Sequence, residues 1–218
     1  MRRLPRRRGR APERDHGFTV IELSVAGLLS ALVLSAVVLV FNSVGQGATD
    51  ASRRGDLQIK AREVVTDLAA ELRSAAPPRQ STAAIESLSA DTLAFYSDRY
   101  DSAGPERFLY ERISCTGGYC QLRVRRYAAV ATSGPNWTFQ TTPFNDVILL
   151  DRIVAGGALF SGRDWTGSPP QKTTISSCGG ATVCTFSMVA IDLQATPPKV
   201  STIDGVFGVL MEVTLRNA

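Results

Sequence analysis

From Leu23 to Phe41 the chain reads LSVAGLLSALVLSAVVLVF, and no charged residue returns before Asp50. As an α-helix, this uncharged 19-residue run rises about 28 Å, close to the thickness of a bilayer's hydrocarbon core. A soluble helix of that length keeps a charged face toward water, and this one has none. The segment therefore predicts a helix that crosses a membrane or is covered on all sides by other chains. A secretory signal offers a rival explanation, but its apolar region is shorter and ends in a small-residue cleavage site. Here Ser43–Ala48, SVGQGA, matches such a site only loosely.

Charge gives the run a direction. The formal net charge of the 218-residue chain is +4, but it is unevenly placed. Residues 1–17 carry seven Arg against Glu13 and Asp15, a surplus of +5, and leave the remainder at −1. Basic residues beside a span stay in the cytoplasm, so the N-terminus is expected inside and the C-terminal body outside. A near-neutral body also argues against a general nucleic-acid-binding surface. The only His is His16, in the basic head. A chain that loses this head has no imidazole, which removes Ser-His-Asp and Cys-His catalysis and His-containing metal sites.

The junction between basic head and apolar run is Gly17-Phe18-Thr19-Val20-Ile21-Glu22. A single carboxylate at the start of an otherwise apolar span is costly in lipid and needs a reason. This stretch resembles the prepilin motif of type IV pilins and type II secretion pseudopilins. The resemblance implies that a membrane prepilin peptidase cuts between Gly17 and Phe18, methylates the new amine of Phe18, and leaves the apolar helix in place. Glu22 would become the fifth residue of the mature chain. In a filament core it would pair with a neighbouring subunit's terminal amine, since a buried carboxylate is tolerated only when paired. Val20 stands where the family often has Leu.

Beyond the span, Gly45-Gln46-Gly47 invites a bend or a melted turn. Leu57, Ala61, Val64, Val65, Leu68 and Leu72 then form one apolar stripe at helical spacing. Asp56, Lys60, Arg62, Glu63, Asp67, Glu71 and Arg73 flank it as the expected polar sides, and Pro77-Pro78 ends the helix. From Thr92 the period becomes two. Leu122 and Val124 alternate with Arg123 and Arg125, Val189, Ile191 and Leu193 with Ala190, Asp192 and Gln194, and Val209, Met211, Val213 and Leu215 with polar or outward residues. Weaker strands are expected at Thr92–Ser97, Arg107–Ser114 and Val147–Val154. Gly-, Pro- and Ser-rich separators are expected at 102–106, 132–136, 162–171 and 196–199. Helix first and strands after give an α+β protein, a long N-terminal helix on an antiparallel sheet. The expected organisation is a cleaved leader 1–17, a membrane or filament-core helix 18–44, an amphipathic helix 45–76, a linker 77–91 and a β-rich head 92–218.

The cysteines form two local groups, Cys115 with Cys120 and Cys178 with Cys184, each around a Gly-Gly pair. Outside the cytoplasm, local disulfides are expected. Cross-pairing between the groups is the alternative, while a four-thiolate zinc site wants tighter spacing. Arg123, Arg125 and Arg126 near Tyr127 form a basic cluster that reads as a solvated strand face ahead of a nucleic-acid site. Trp137 and Trp165 are expected in loops, as contact residues or as covers of core edges. Asp98, Asp101 and Glu106 lack the dense pattern of a calcium loop. No cofactor, metal or catalytic group is expected.

The resemblance thus implies a non-enzymatic minor pilin or pseudopilin, similar to the larger J-type subunits, that acts in filament initiation or at a tip. Its implied partners are the prepilin peptidase, other pilin or pseudopilin subunits, an inner-membrane assembly platform and membrane lipid. DNA is a less favoured partner, through the rival class of DNA-receptor or adhesin tip subunits.

Overall fold

The computed structural model describes residues 19–78, 83–99, 104–130, 136–180, 182–197 and 206–215. Gly17 and Phe18 lie outside them. The chain divides into two compact units, residues 1–47 and 48–218. One helix, α1 (Val20–Arg73), contributes to both.

Helical structure continues through Gly45-Gln46-Gly47, where the sequence had suggested a break. Each glycine costs roughly 1 kcal/mol relative to Ala, less than interrupting the helix would cost in backbone hydrogen bonds. The helix ends at Arg73, four residues before the proline pair. Ala75 then bridges to Ser97, and the Ala76 amide donates to the Tyr96 carbonyl at 3.0 Å. The chain thus passes directly from helix into a sheet contact.

The strands are β1 (Ile85–Leu88), β2 (Thr92–Ser97), β3 (Glu106–Thr116), β4 (Tyr119–Tyr127), β5 (Ala129–Val130), β6 (Thr138–Phe139), β7 (Asn145–Val154), β8 (Phe160–Thr166), β9 (Gln171–Ile175), β10 (Cys178–Gly179), β11 (Met188–Ala195) and β12 (Phe207–Thr214). The main sheet runs β10-β1-β2-β3-β4-β7-β11-β8-β9, and β12 also pairs with β11. β5 and β6 form a separate ribbon. Every pairing is antiparallel. The fold is α+β, a long N-terminal helix with its second part packed on an antiparallel sheet head.

Two expected boundaries are corrected. β1 falls inside the stretch read as a linker, because IESL is too short to show a period. β8 and β9 make a hairpin where a separator was expected, and Trp165 lies in β8 rather than a loop. Their inward positions include Gly162, where a Cβ would come within 2.8 Å of the Phe186 ring. A small residue demanded by packing hid the strand's alternation.

Within the head, Ala61, Val65, Leu68 and Leu72 of α1 join Leu93, Phe95, Phe108, Leu122, Val189 and Leu193 in one core. Phe95 stacks on Phe108 at 5.3 Å and on Tyr110 at 6.1 Å. Each fully buried side chain of this kind contributes about 1.5–3 kcal/mol.

Candidate assembly and contact sites

The apolar part of α1 is long and apolar enough to cross a bilayer. No side chain from Val20 to Phe41 is buried; Leu39 is 69 % and Phe41 73 % exposed. So large an apolar surface needs lipid or other protein around it. Ser24 and Ser35 donate their hydroxyls back to the carbonyls of Val20 and Leu32, both at 2.8 Å, which reduces the polar cost of such a covering.

Thr19 and Glu22 close the start of this helix. The Thr19 carbonyl accepts the Leu23 amide at 3.1 Å, which makes Thr19 the N-cap. The Glu22 amide donates to Thr19 Oγ1 at 3.2 Å, and the Thr19 amide donates to Glu22 Oε2 at 2.9 Å. The Thr19 hydroxyl donates to the same oxygen at 3.1 Å. This is a capping box, which satisfies two backbone donors that the helix cannot. Its T-x-x-E spacing is present in the sequence, but capping is neither of the roles the sequence suggests for Glu22, pairing with a neighbouring subunit's amine or snorkelling to the lipid headgroups. Gly17 and Phe18, the expected processing residues, fall outside the described residues.

In the head, Cys115–Cys120 and Cys178–Cys184 are disulfides, with Cα atoms 4.0 and 5.2 Å apart. The first closes the β3–β4 turn, where Gly117 and Gly118 adopt φ of 60° and 84°, a region open to glycine at little cost. The second holds the loop carrying β10. Gly179 there has φ 121°, and a Cβ would meet Ser87 Cβ at 2.7 Å, so only glycine lets β10 approach β1. Two such bonds fit an oxidising compartment for the head.

The basic cluster is neutralised. Arg123 and Arg125 both donate to Glu111 Oε2, at 2.9 and 2.6 Å. Burial pushes the Glu111 carboxyl up, but these two guanidinium bonds outweigh it and hold the group below its usual value. Arg126 turns to the helix side, donates to Glu71 Oε1 at 2.9 Å and lies over the Phe108 ring. The cluster is built for the fold before any phosphate.

Glu71 is the residue that the sequence reading misplaced. Expected on a polar flank, it is fully buried. Tyr110 donates its hydroxyl to Glu71 Oε2 at 2.5 Å, and Ser74 and Ser97 donate theirs to the Glu71 carbonyl, both at 3.0 Å. Burial, then the Glu71 charge, push the Tyr110 hydroxyl well above its ordinary pKa. The signal was in the spacing: Leu57, Ala61, Val64, Leu68, Glu71 and Ala75 follow i, i+4, i+7, i+11, i+14 and i+18. A heptad reading puts Glu71 on the apolar stripe.

Among the described residues, no group of three or more His, Cys, Asp or Glu is placed to hold a metal ion. Glu106 is buried at the start of β3, and Asp101 lies outside the described residues. Compared with protein-family models, with curated proteins and with solved structures, the chain matches none.

Proposed function

We propose that the chain is a minor pilin or pseudopilin: a subunit made with a cleavable basic leader, inserted with its N-terminus in the cytoplasm and assembled through its apolar helix into a pilus-like or type II secretion filament. The observation that carries the reading is the first half of α1. It is wholly exposed and apolar, and its one carboxylate, Glu22, sits in the first turn beside the Gly17-Phe18 junction. A plain membrane anchor would use that acid only as a helix cap, whereas side-by-side packing of helices with free terminal amines also uses its charge. The disulfide-bonded head fits an extracytoplasmic body. The ion-paired state of Arg123, Arg125 and Arg126 weighs against the DNA-receptor alternative.

Processing tests the proposal directly. Protein from the native host should begin at N-methyl-Phe18 by intact mass and N-terminal sequencing. Replacing Gly17 with a bulky residue should block the cut and leave membrane insertion intact. A terminus near residue 48, or a retained leader, defeats the reading.

A further inference from the structure

A cavity of about 530 Å³ opens between the β5–β6 ribbon, the free end of β1 and the Cys178–Cys184 loop. Its walls include Tyr96, Trp137, Phe139, Glu86, Thr138 and Thr182. A second cavity of about 470 Å³ shares Ala83, Ile85, Val183 and Cys184 with it and reaches Asp164 and Ser187. Each has the volume of a small-ligand site, and their shared walls make a groove.

The aromatic wall is prearranged. A Cβ on Gly104 would fall 2.7–2.8 Å from Cδ2, Cε2 and Cε3 of Trp137. These near-equal distances place the Gly104 backbone flat against one face of the indole. Trp137 lines the cavity and is only half-buried, so part of the ring is open to it. The Trp137 amide donates to the Pro78 carbonyl at 3.2 Å, which fixes the residue's backbone. Phe139 stacks on Tyr96 at 4.9 Å. Glu86 is held by both oxygens on Arg107, at 2.5 and 3.0 Å. Burial and the Glu86 charge raise the Tyr96 hydroxyl to about 12, so it stays protonated.

The lining chemistry selects among ligands. The described lining residues bring the carboxylates of Glu86 and Asp164 and several hydroxyls to the groove, acceptors that repel phosphates and suit hydroxyl protons. An indole face is electron-rich and receives the C–H face of a pyranose ring, while acceptors at its edge take the sugar's hydroxyl protons. Two joined cavities suit more than one ring. We infer that this groove is a binding site for a neutral oligosaccharide, with Trp137 as its platform and Thr138, Thr182 and Glu86 as edge partners. The inference is independent of the filament reading.

The chain has two tryptophans, which gives a clean probe. The full chain carrying Trp165→Phe, in a detergent without a sugar headgroup, is titrated with tetra-N-acetylchitotetraose, cellotetraose and maltotetraose while Trp137 emission is read. At least one should give a saturable change with a dissociation constant on the order of 0.1–1 mM. Thr138→Val, at an exposed position, should weaken it several-fold without changing the unfolding midpoint. Gly104→Ala, which displaces the ring, should weaken it at least tenfold. No response to any of the three sugars, an undiminished response in both variants, or a saturable response to decaproline instead would overturn the inference, the last by marking a peptide groove.

Discussion

Glu71→Leu tests whether the buried carboxylate is what fastens the helix to the sheet. The substitution conserves approximate volume but leaves two polar groups behind. The Arg126 guanidinium loses its Glu71 Oε1 bond and the Tyr110 hydroxyl its 2.5 Å acceptor. Removing one partner of a buried ion pair costs about 3–5 kcal/mol. Arg126 keeps 22 % of its side chain in solvent and its place over the Phe108 ring, so the lower end applies, about 3 kcal/mol in all. If stranded polar groups cause the loss, removing them should cancel most of it. The triple variant Glu71→Leu, Tyr110→Phe, Arg126→Met should lie within about 1–2 kcal/mol of the wild type, because apolar replacement of a whole buried network is often near neutral. Urea unfolding of the full chain in detergent, followed by tryptophan emission, measures both. A cost below about 1 kcal/mol for the single change, or a triple variant no better than the single, refutes the argument.

Three further outcomes follow from the head. The fold pushes the Tyr96 hydroxyl up to about 12 and the Tyr110 hydroxyl well above its ordinary value, against about 10 unfolded; the unfolded chain therefore loses protons first, and stability held below pH 10 should fall as the pH rises above it, less steeply in Tyr110→Phe, by pH-dependent urea midpoints. Glu111 is held below its ordinary 4.5 in the fold, so its contribution is present above that pH and lost on acidification, and neutralising Arg123 and Arg125 together should flatten this acid limb in the same assay. Replacing Cys178 and Cys184 with Ala should lower stability by about 2 kcal/mol, the loop-closure value for so short a ring, while non-reducing peptide maps of the wild type should show only the two local pairs.

What was legible in the sequence followed from periodicity. The strand at Thr92–Ser97 matches its predicted limits, and β11 and β12 largely show the expected alternation, with Val189, Ile191 and Leu193 inward against exposed Asp192 and Gln194, although Ala190, expected outward, is buried. These strands have one wet face, so their chemistry alternates with their pleat. β1 and β8 escaped notice for opposite reasons. One is four residues long, and the other fills an inward position with Gly162 because Phe186 already occupies the space. Glu71 and Arg126 escaped because charge outweighs spacing in a sequence reading, whereas in the fold each supplies the other's missing partner. For the groove at Trp137 the sequence offered one signal, a loop tryptophan readable as a contact residue or as a core-edge cover. Gly104, Tyr96, Trp137 and Glu86 come from separate elements, and only the fold brings them together.

Glu22 has two candidate roles that one substitution cannot separate. Glu22→Leu removes the negative charge proposed to meet a neighbour's terminal amine, and it also removes the capping box with Thr19. Loss of a cap costs about 0.5–2 kcal/mol, so a failure of Glu22→Leu to assemble would be ambiguous. Glu22→Gln resolves it. Glutamine serves in a capping box as glutamate does, so the helix start keeps its hydrogen bonds while the charge is lost. Thr19→Ala does the reverse: it removes the hydroxyl that caps the Glu22 amide and keeps the carboxylate. Under the filament reading, all three variants are cut at Gly17 and stay in the membrane. Glu22→Gln should fail to co-purify with partner subunits much as Glu22→Leu does, because an unpaired amine in an apolar core costs several kcal/mol. Thr19→Ala should assemble. If Glu22→Gln assembles normally and Thr19→Ala does not, the carboxylate is a helix cap, and axial register must come from another part of the chain.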